Sequence, residues 1–204
     1  MGIRNVLAAL EAEALRDGVP ILRGPERELL LTAAEEARPS RILEIGTAIG
    51  FSALLLSERL PEAEITTIEL DPARHDRAAC AVREAGAEDR IRCVLGDAGE
   101  VLPSLSGPCD FLYLDGPKGQ YLRHLQAAEP LLSPEAVIAA DNVLFRGLVE
   151  AEGPVPHRYR TLVMRLREYL AYVRERYATT IYPEGDGLAV SRPKVLMSAE
   201  CREF

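Results

Sequence analysis

Residues 43–52 read LEIGTAIGFS, and this stretch decides the fold. With Arg41 and Ile42 before it, RILEIG (41–46) is a short apolar run of the kind buried on both faces of a parallel sheet. Gly46 and Gly50 then bracket a turn into an apolar helix, with Ser52 near its start. Glycine lets the backbone approach a ligand closely and adopt positive φ. In an open α/β sheet, ligands bind beyond the carboxyl ends of the strands, which is where this turn falls. The spacing is GxxxG, neither the GxGxxG of a dinucleotide site nor the GxxxxGK[ST] of a phosphate loop. Glu44 just before the turn suits a nucleoside with an amino-acid tail and a positive charge, rather than a pyrophosphate. A plain tight turn is the competing account of the glycine pair.

Outward from this turn, short apolar runs alternate with amphipathic helices. The runs are EITTIEL (64–70), IRCVLG (91–96), CDFLYLD (109–115) and AVIAAD (136–141), followed by a loop and a long helix. ATTIYP (178–183), the turn Glu184-Gly185-Asp186-Gly187 and LAVSRP (188–193) read as a hairpin. The pattern predicts a Rossmann-like, three-layer α/β sandwich: a mostly parallel seven-stranded sheet with a C-terminal antiparallel hairpin. Two helices precede it. One covers 4–16, with Val6, Leu7, Leu10 and Ala14 at helical spacing, and the other runs from Pro25 to about Arg38. Both are too short to fold alone, so residues 1–204 are expected to form one domain with 1–40 packed on it.

Composition narrows the class. Hydrophobic residues make up 48% and charged residues 27%, ordinary for a globular chain. No apolar run approaches the roughly 20 residues of a membrane span. The N-terminus lacks the apolar core of a signal peptide, so a cytoplasmic protein with no membrane partner is expected. The net charge of −8 disfavours broad binding to nucleic acid or anionic lipid. Cys80, Cys93, Cys109 and Cys201 form no CxxC pair and read as reduced, mostly buried thiols. His75, His124 and His157 share no metal-ligand spacing. Only two of the 24 basic residues are lysines, Lys118 and Lys194. Arginine keeps its proton in a protein, whereas a desolvated lysine can release one.

The chemistry gathers at the strand ends. Glu69 falls 23 residues after Gly46, close to the spacing at which a carboxylate grips ribose hydroxyls. Its rival Asp71 precedes Pro72 and a helix, and so reads as an N-cap. A solvated strand-end acid is the bland account of Glu69. Gly96-Asp97-Ala98 ends the third strand, placed to face an adenine. Asp115 and Asp141-Asn142 end the fourth and fifth strands. Two carboxylates and an amide oxygen suit Mg²⁺, Ca²⁺ or Mn²⁺. Helix capping by the same acids is the alternative. Lys118 follows Asp115 by three residues, and its rarity favours a general base over a surface charge.

LEIGTAIGFS, TTIELDP, GDA, YLDGPKGQY, DNVLFRG and TTIYPEGDGLAVSR together resemble the metal-dependent class I O-methyltransferases of the catechol and caffeoyl-CoA type, O-methyltransferase family 3. The likeness runs from about residue 22 to 193. It implies S-adenosylmethionine as cofactor, with Glu69 on the ribose and Gly46 and Ser52 toward the methionine end. It implies a divalent cation, Mg²⁺, on Asp115, Asp141 and Asn142, with Lys118 as the base. The full expected cofactor set is Glu44, Gly46, Gly50, Ser52, Glu69, Asp97, Ala98 and Asp115. Two departures touch the acceptor. Pro117 stands where caffeoyl-CoA-type members usually carry a second Asp, and segment 148–160 is this chain's own.

The expected reaction is methyl transfer to a hydroxyl of a small catechol-like or phenolic acceptor. A relative's alternative is a hydroxyuridine in tRNA, for which Arg146, Arg158, Arg160 and Tyr159 offer a small basic, aromatic patch. A different class is a non-catalytic cofactor-binding scaffold, against which the intact Asp115, Lys118, Asp141 and Asn142 speak. The apolar stripe of the first helix predicts a homodimer.

Overall fold

The computed structural model describes residues 2–22 and 24–194. Two helices lead: α1 (Ile3–Asp17) and α2 (Gly24–Ala37). Strands and helices then alternate as β1 (Arg41–Ile45), α3 (Phe51–Arg59), β2 (Glu64–Glu69), α4 (Pro72–Ala85), β3 (Ile91–Leu95), α5 (Ala98–Val101), β4 (Cys109–Leu114), α6 (Tyr121–Ala128), β5 (Leu132–Ala140) and α7 (Arg160–Arg176). The hairpin β6 (Tyr177–Tyr182) and β7 (Leu188–Pro193) follows as the last pair of elements among the described residues. The seven strands lie in the order β3-β2-β1-β4-β5-β7-β6. The Rossmann-like, mostly parallel sheet with a terminal antiparallel hairpin is therefore as expected.

Alternation along each central strand builds two cores. Ile42, Phe111, Tyr113, Val137 and Ala139 face the layer containing α1 to α4. Leu43, Ile45, Leu112, Leu114, Ile138 and Ala140 face the layer containing α5 to α7. A side-chain period of two on strands covered from both sides favours apolar residues on both faces, hence the near-continuous runs. Register follows from these faces: Leu43 pairs with Leu112, and Leu112 with Ile138.

Three features differ from the expectation or extend it. β5 starts at Leu132, four residues before the expected 136, because Leu132 pairs with Cys109 ahead of a register shift between Cys109 and Phe111. β7 inserts between β5 and β6 and runs antiparallel to both, so β6 forms the sheet edge. The stripe of α1 is covered by its own chain: Val6, Leu10 and Ala14 are fully buried in the core shared with α3 and α4. That stripe by itself calls for no second subunit.

Among the described residues no helix is long and apolar enough to cross a membrane. Cys80, Cys93 and Cys109 are free thiols; Cys109 is buried and the other two are half-buried. Burial pushes the Cys93 thiol up to about 11. Cys201 lies outside the described residues.

Candidate active site

A cavity of about 700 Å³ opens at the carboxyl ends of β1 to β5. That is within the range of small-molecule and cofactor sites. Its floor begins at Gly46, where the chain leaves β1 with φ +106°. A Cβ at that position would lie 2.5 Å from the Asp115 carbonyl oxygen, so only glycine lets the β1 turn pass the end of β4.

Glu69, at the end of β2, lines the cavity with 8% of its surface exposed. Its Oε2 accepts the Ala48 N–H at 2.8 Å and its Oε1 the Asp71 N–H at 2.9 Å. Both oxygens are thus oriented by backbone donors and keep further lone pairs for a ligand. Asp71 caps α4 as its sequence context implied, accepting from the Arg74 N–H at 3.0 Å ahead of Pro72. Asp97 and Ala98 follow β3 on the same wall, with Asp97 capping α5 through the Gly99 N–H at 2.7 Å.

At the other end stand Asp115, Lys118, Asp141 and Asn142, all on the cavity wall. Lys118 Nζ approaches Asp115 Oδ1 at 3.4 Å. Burial raises the Asp115 carboxyl, opposed by the Lys118 charge. Burial, and then the neighbouring Asp115 charge, push Asp141 up to about 7. Its Oδ1 accepts the Asn142 N–H at 2.8 Å. The buried Tyr121 hydroxyl donates to the Asp141 carbonyl at 3.0 Å and steadies the turn. Asn142 adopts φ +55°, a left-handed conformation that asparagine tolerates better than most residues. Among the described residues no group of three or more His, Cys, Asp and Glu side chains is set to hold a metal ion. The oxygen set is two carboxylates and one amide.

Three residues of the expected cofactor set lie behind this wall. Glu44 has no exposed surface and lies off the cavity wall. Period-two alternation puts it on the face of Ile42, beneath α3. There the Ser52 hydroxyl donates to Glu44 Oε1, and Thr67 Oγ1 donates to Oε2 at 2.6 Å. Burial raises Glu44 to about 7. Ser52 is 7% exposed and also lies off the cavity wall, its hydroxyl spent on Glu44. Gly50 packs on Ala78, 3.2 Å from where its Cβ would stand, instead of lining the cavity. The Arg146–Arg158–Tyr159 patch lies off the wall too, with both guanidiniums stacked on Tyr159 at 5.8 and 4.5 Å.

The structure adds residues that the sequence reading passed over. Glu26, in the first turn of α2, reaches the cavity close enough to Asp115 and Asp141 to disfavour their charged forms. Pro25-Glu26 marked only a helix start. His124 enters from α6, and Ile21 and Leu22 from the α1–α2 connection.

A crevice at the carboxyl ends of a parallel sheet, with Glu69 and Asp97 at one end and Asp115, Lys118 and Asp141 at the other, is the usual place of a ligand site in an open α/β fold. The family described as O-methyltransferase matches residues 27–194, and the chain belongs to it. A probable O-methyltransferase of Mycobacterium tuberculosis is 36% identical over 157 residues, 71% of this chain and 67% of that protein. A catechol O-methyltransferase of the same organism is 38% identical over 125 residues, 60% of this chain and 56% of its own length. The chain thus spans little more than half of this second relative. A SAH-bound methyltransferase of Podospora anserina superposes with a TM-score of 0.80 at 27% identity, covering 95% of this chain and 90% of that one. The catechol type suggested by the motifs is the name of the second relative, and a caffeoyl-CoA O-methyltransferase of Stellaria longipes is 27% identical over 176 residues, 81% of this chain and 73% of that protein.

Proposed function

We propose that the chain transfers the methyl group of S-adenosylmethionine to a hydroxyl of a small catechol-like or phenolic acceptor, with Mg²⁺ as the accompanying cation. One observation carries this reading: a single cavity runs from Glu69 and Asp97 to Lys118 and Asp141. Cofactor and acceptor therefore have adjoining places in it. The SAH-bound relative supports the choice of cofactor.

Glu69 accepts from the ribose hydroxyls, with its two oxygens held in advance by Ala48 and Asp71. Asp97 and Ala98 face the adenine, and Gly46 lets the backbone close on the methionine end. Lys118 Nζ takes the proton of the acceptor hydroxyl. The oxyanion attacks the methyl carbon in line; the O–C bond forms, the C–S bond breaks, and its electron pair stays on sulfur. Opposite charges cancel in that step, so a dry cavity favours it. Holding oxygen and methyl in contact supplies much of the rate.

The donor set fits a hard divalent cation. Burial disfavours the charged forms of both Asp115 and Asp141, and the Asp115 charge further disfavours that of Asp141, a cost that a bound cation would offset. Asp115, Asp141 and the Asn142 amide oxygen would hold it, and its chemistry there is to favour the ionised form of the acceptor hydroxyl. Pro117 adds no carboxylate beside them.

The test is transfer of labelled methyl from S-adenosylmethionine to catechols, caffeoyl thioesters and bulk tRNA, with and without added Mg²⁺. Cation-dependent labelling of a catechol-type acceptor is expected. Labelling of tRNA alone would overturn the acceptor assignment.

A further inference from the structure

His124 is 3% exposed and lines the cavity, and its Nδ1, sealed in protein, has no hydrogen-bond partner among the described residues. Buried polar atoms in folded proteins are nearly always paired, and an orphaned N–H is rarer than an orphaned acceptor. A ring in this position is an unused hydrogen-bonding group aimed at whatever fills the cavity.

Burial lowers the His124 pKa, so the ring is neutral near pH 7 and carries one proton. Placing it on Nδ1 would enclose a donor with no acceptor. Placing it on Nε2 leaves only a lone pair enclosed and turns the N–H to the cavity side. Asp97 stands nearby, close enough for its charge to act on the ring. Asp97 Oδ1 is occupied by the Gly99 N–H at 2.7 Å, which leaves Oδ2 as a free acceptor. The β3 end of the cavity therefore presents one acceptor and one donor together.

We infer that His124 is a base-recognition residue, donating its Nε2–H to a ring nitrogen of the cofactor's adenine while Asp97 accepts from the exocyclic amine. This rests on the S-adenosylmethionine reading above. Adenine is the complement of such a pair: it carries unprotonated ring nitrogens beside an amine. A 6-oxopurine reverses the pattern, with a protonated N1 and a carbonyl that would face the Asp97 carboxylate. The residue thus selects the base and takes no part in methyl transfer.

The experiment titrates S-adenosylhomocysteine into wild type, His124→Phe and His124→Gln by calorimetry, with melting temperatures alongside. Phenylalanine keeps the ring's bulk without a donor; glutamine places an N–H at about the reach of Nε2. Loss of one neutral hydrogen bond predicts a roughly 3- to 10-fold weaker Kd for His124→Phe, restored toward wild type in His124→Gln. The wild-type complex should show a ¹⁵N signature of the Nε2–H tautomer at His124, a readout that needs no variant to fold. A His124→Phe affinity within twofold of wild type, or an Nδ1–H tautomer in the complex, would overturn the inference and leave the cofactor reading standing. Failure of wild type to bind S-adenosylhomocysteine at all would overturn the cofactor reading and this inference with it.

Discussion

Glu26 Oε1 accepts the Asp186 backbone N–H at 2.9 Å, joining the first turn of α2 to the β6–β7 turn 160 residues away. The carboxylate sits over Gly185, where any Cβ would collide with it. The same turn takes the Val143 N–H on the Gly187 carbonyl and the Leu144 N–H on the Asp186 carbonyl, each at 2.9 Å. Its Asp186 side chain accepts the Arg146 N–H, also at 2.9 Å. Glu26 thereby helps to hold the segment that begins at Asp141 and Asn142.

Glu26→Ala should loosen that segment and raise the Mg²⁺ concentration needed for half-maximal activity severalfold. The stability cost should be about 1 kcal/mol, the scale of one partly exposed hydrogen bond. Glu26→Gln keeps an acceptor and should restore most of both. Cation titrations and thermal melts on the two variants check this. Equal behaviour of alanine and glutamine would deny the hydrogen bond any part.

Glu69→Ala removes the carboxylate proposed to accept from the ribose. Hydrogen bonds to a charged acceptor contribute about 1.5–3 kcal/mol each, so cofactor affinity should fall at least tenfold. Calorimetry with S-adenosylhomocysteine reads this directly. Unchanged affinity would remove Glu69 from the cofactor site.

Lys118→Arg keeps the charge beside Asp115 but cannot accept a proton near neutral pH. A fall in kcat of about 10²–10⁴-fold is expected, with cofactor affinity near normal. If turnover stays within a few-fold of wild type, Lys118 positions or neutralises and takes no proton.

Chelation, or Asp141→Ala, should abolish methyl transfer and spare cofactor binding. Asp141 lies at the end of the cavity away from Glu69 and Asp97, in the half proposed for the acceptor. Loss of S-adenosylhomocysteine binding in Asp141→Ala would place the residue in the cofactor site instead.

Glu44 makes stability depend on pH. Its carboxyl titrates at about 7 in the fold because of burial, against a reference of 4.5 for an unperturbed group. Between those values the folded chain holds a proton that the unfolded chain has released, so stability falls as pH rises through that window. The loss is complete above pH 7 and amounts to roughly 3 kcal/mol. Glu44→Gln has no proton to lose and still offers partners to the Ser52 and Thr67 hydroxyls. Its melting temperature should therefore gain on wild type between pH 5 and pH 8. Parallel curves for the two proteins would clear Glu44 of this role.

The sequence by itself determined the parts that are local. Glycine at 46, the N-cap Asp71 before Pro72, and the two-faced apolar runs each act within a few residues of chain, so their spacing predicts strand, turn and helix start. Strand ends then place Glu69, Asp97, Asp115 and Asp141 at one edge of the sheet, because parallel strands all present the same end. Tertiary structure decided what depends on partners far along the chain. Only packing shows that Glu44 points under α3 while Glu69 faces the cavity, since both are acids at the ends of apolar strands. Only the insertion of β7 between β5 and β6 brings the Asp186 turn to Glu26 and to the Asp141 segment. And only the docking of α6 turns His124, on a helix face that reads as core, toward the cavity beside Asp97. Such pairings join residues across as many as 160 positions, and their energy comes from burial and hydrogen bonds that no local periodicity encodes.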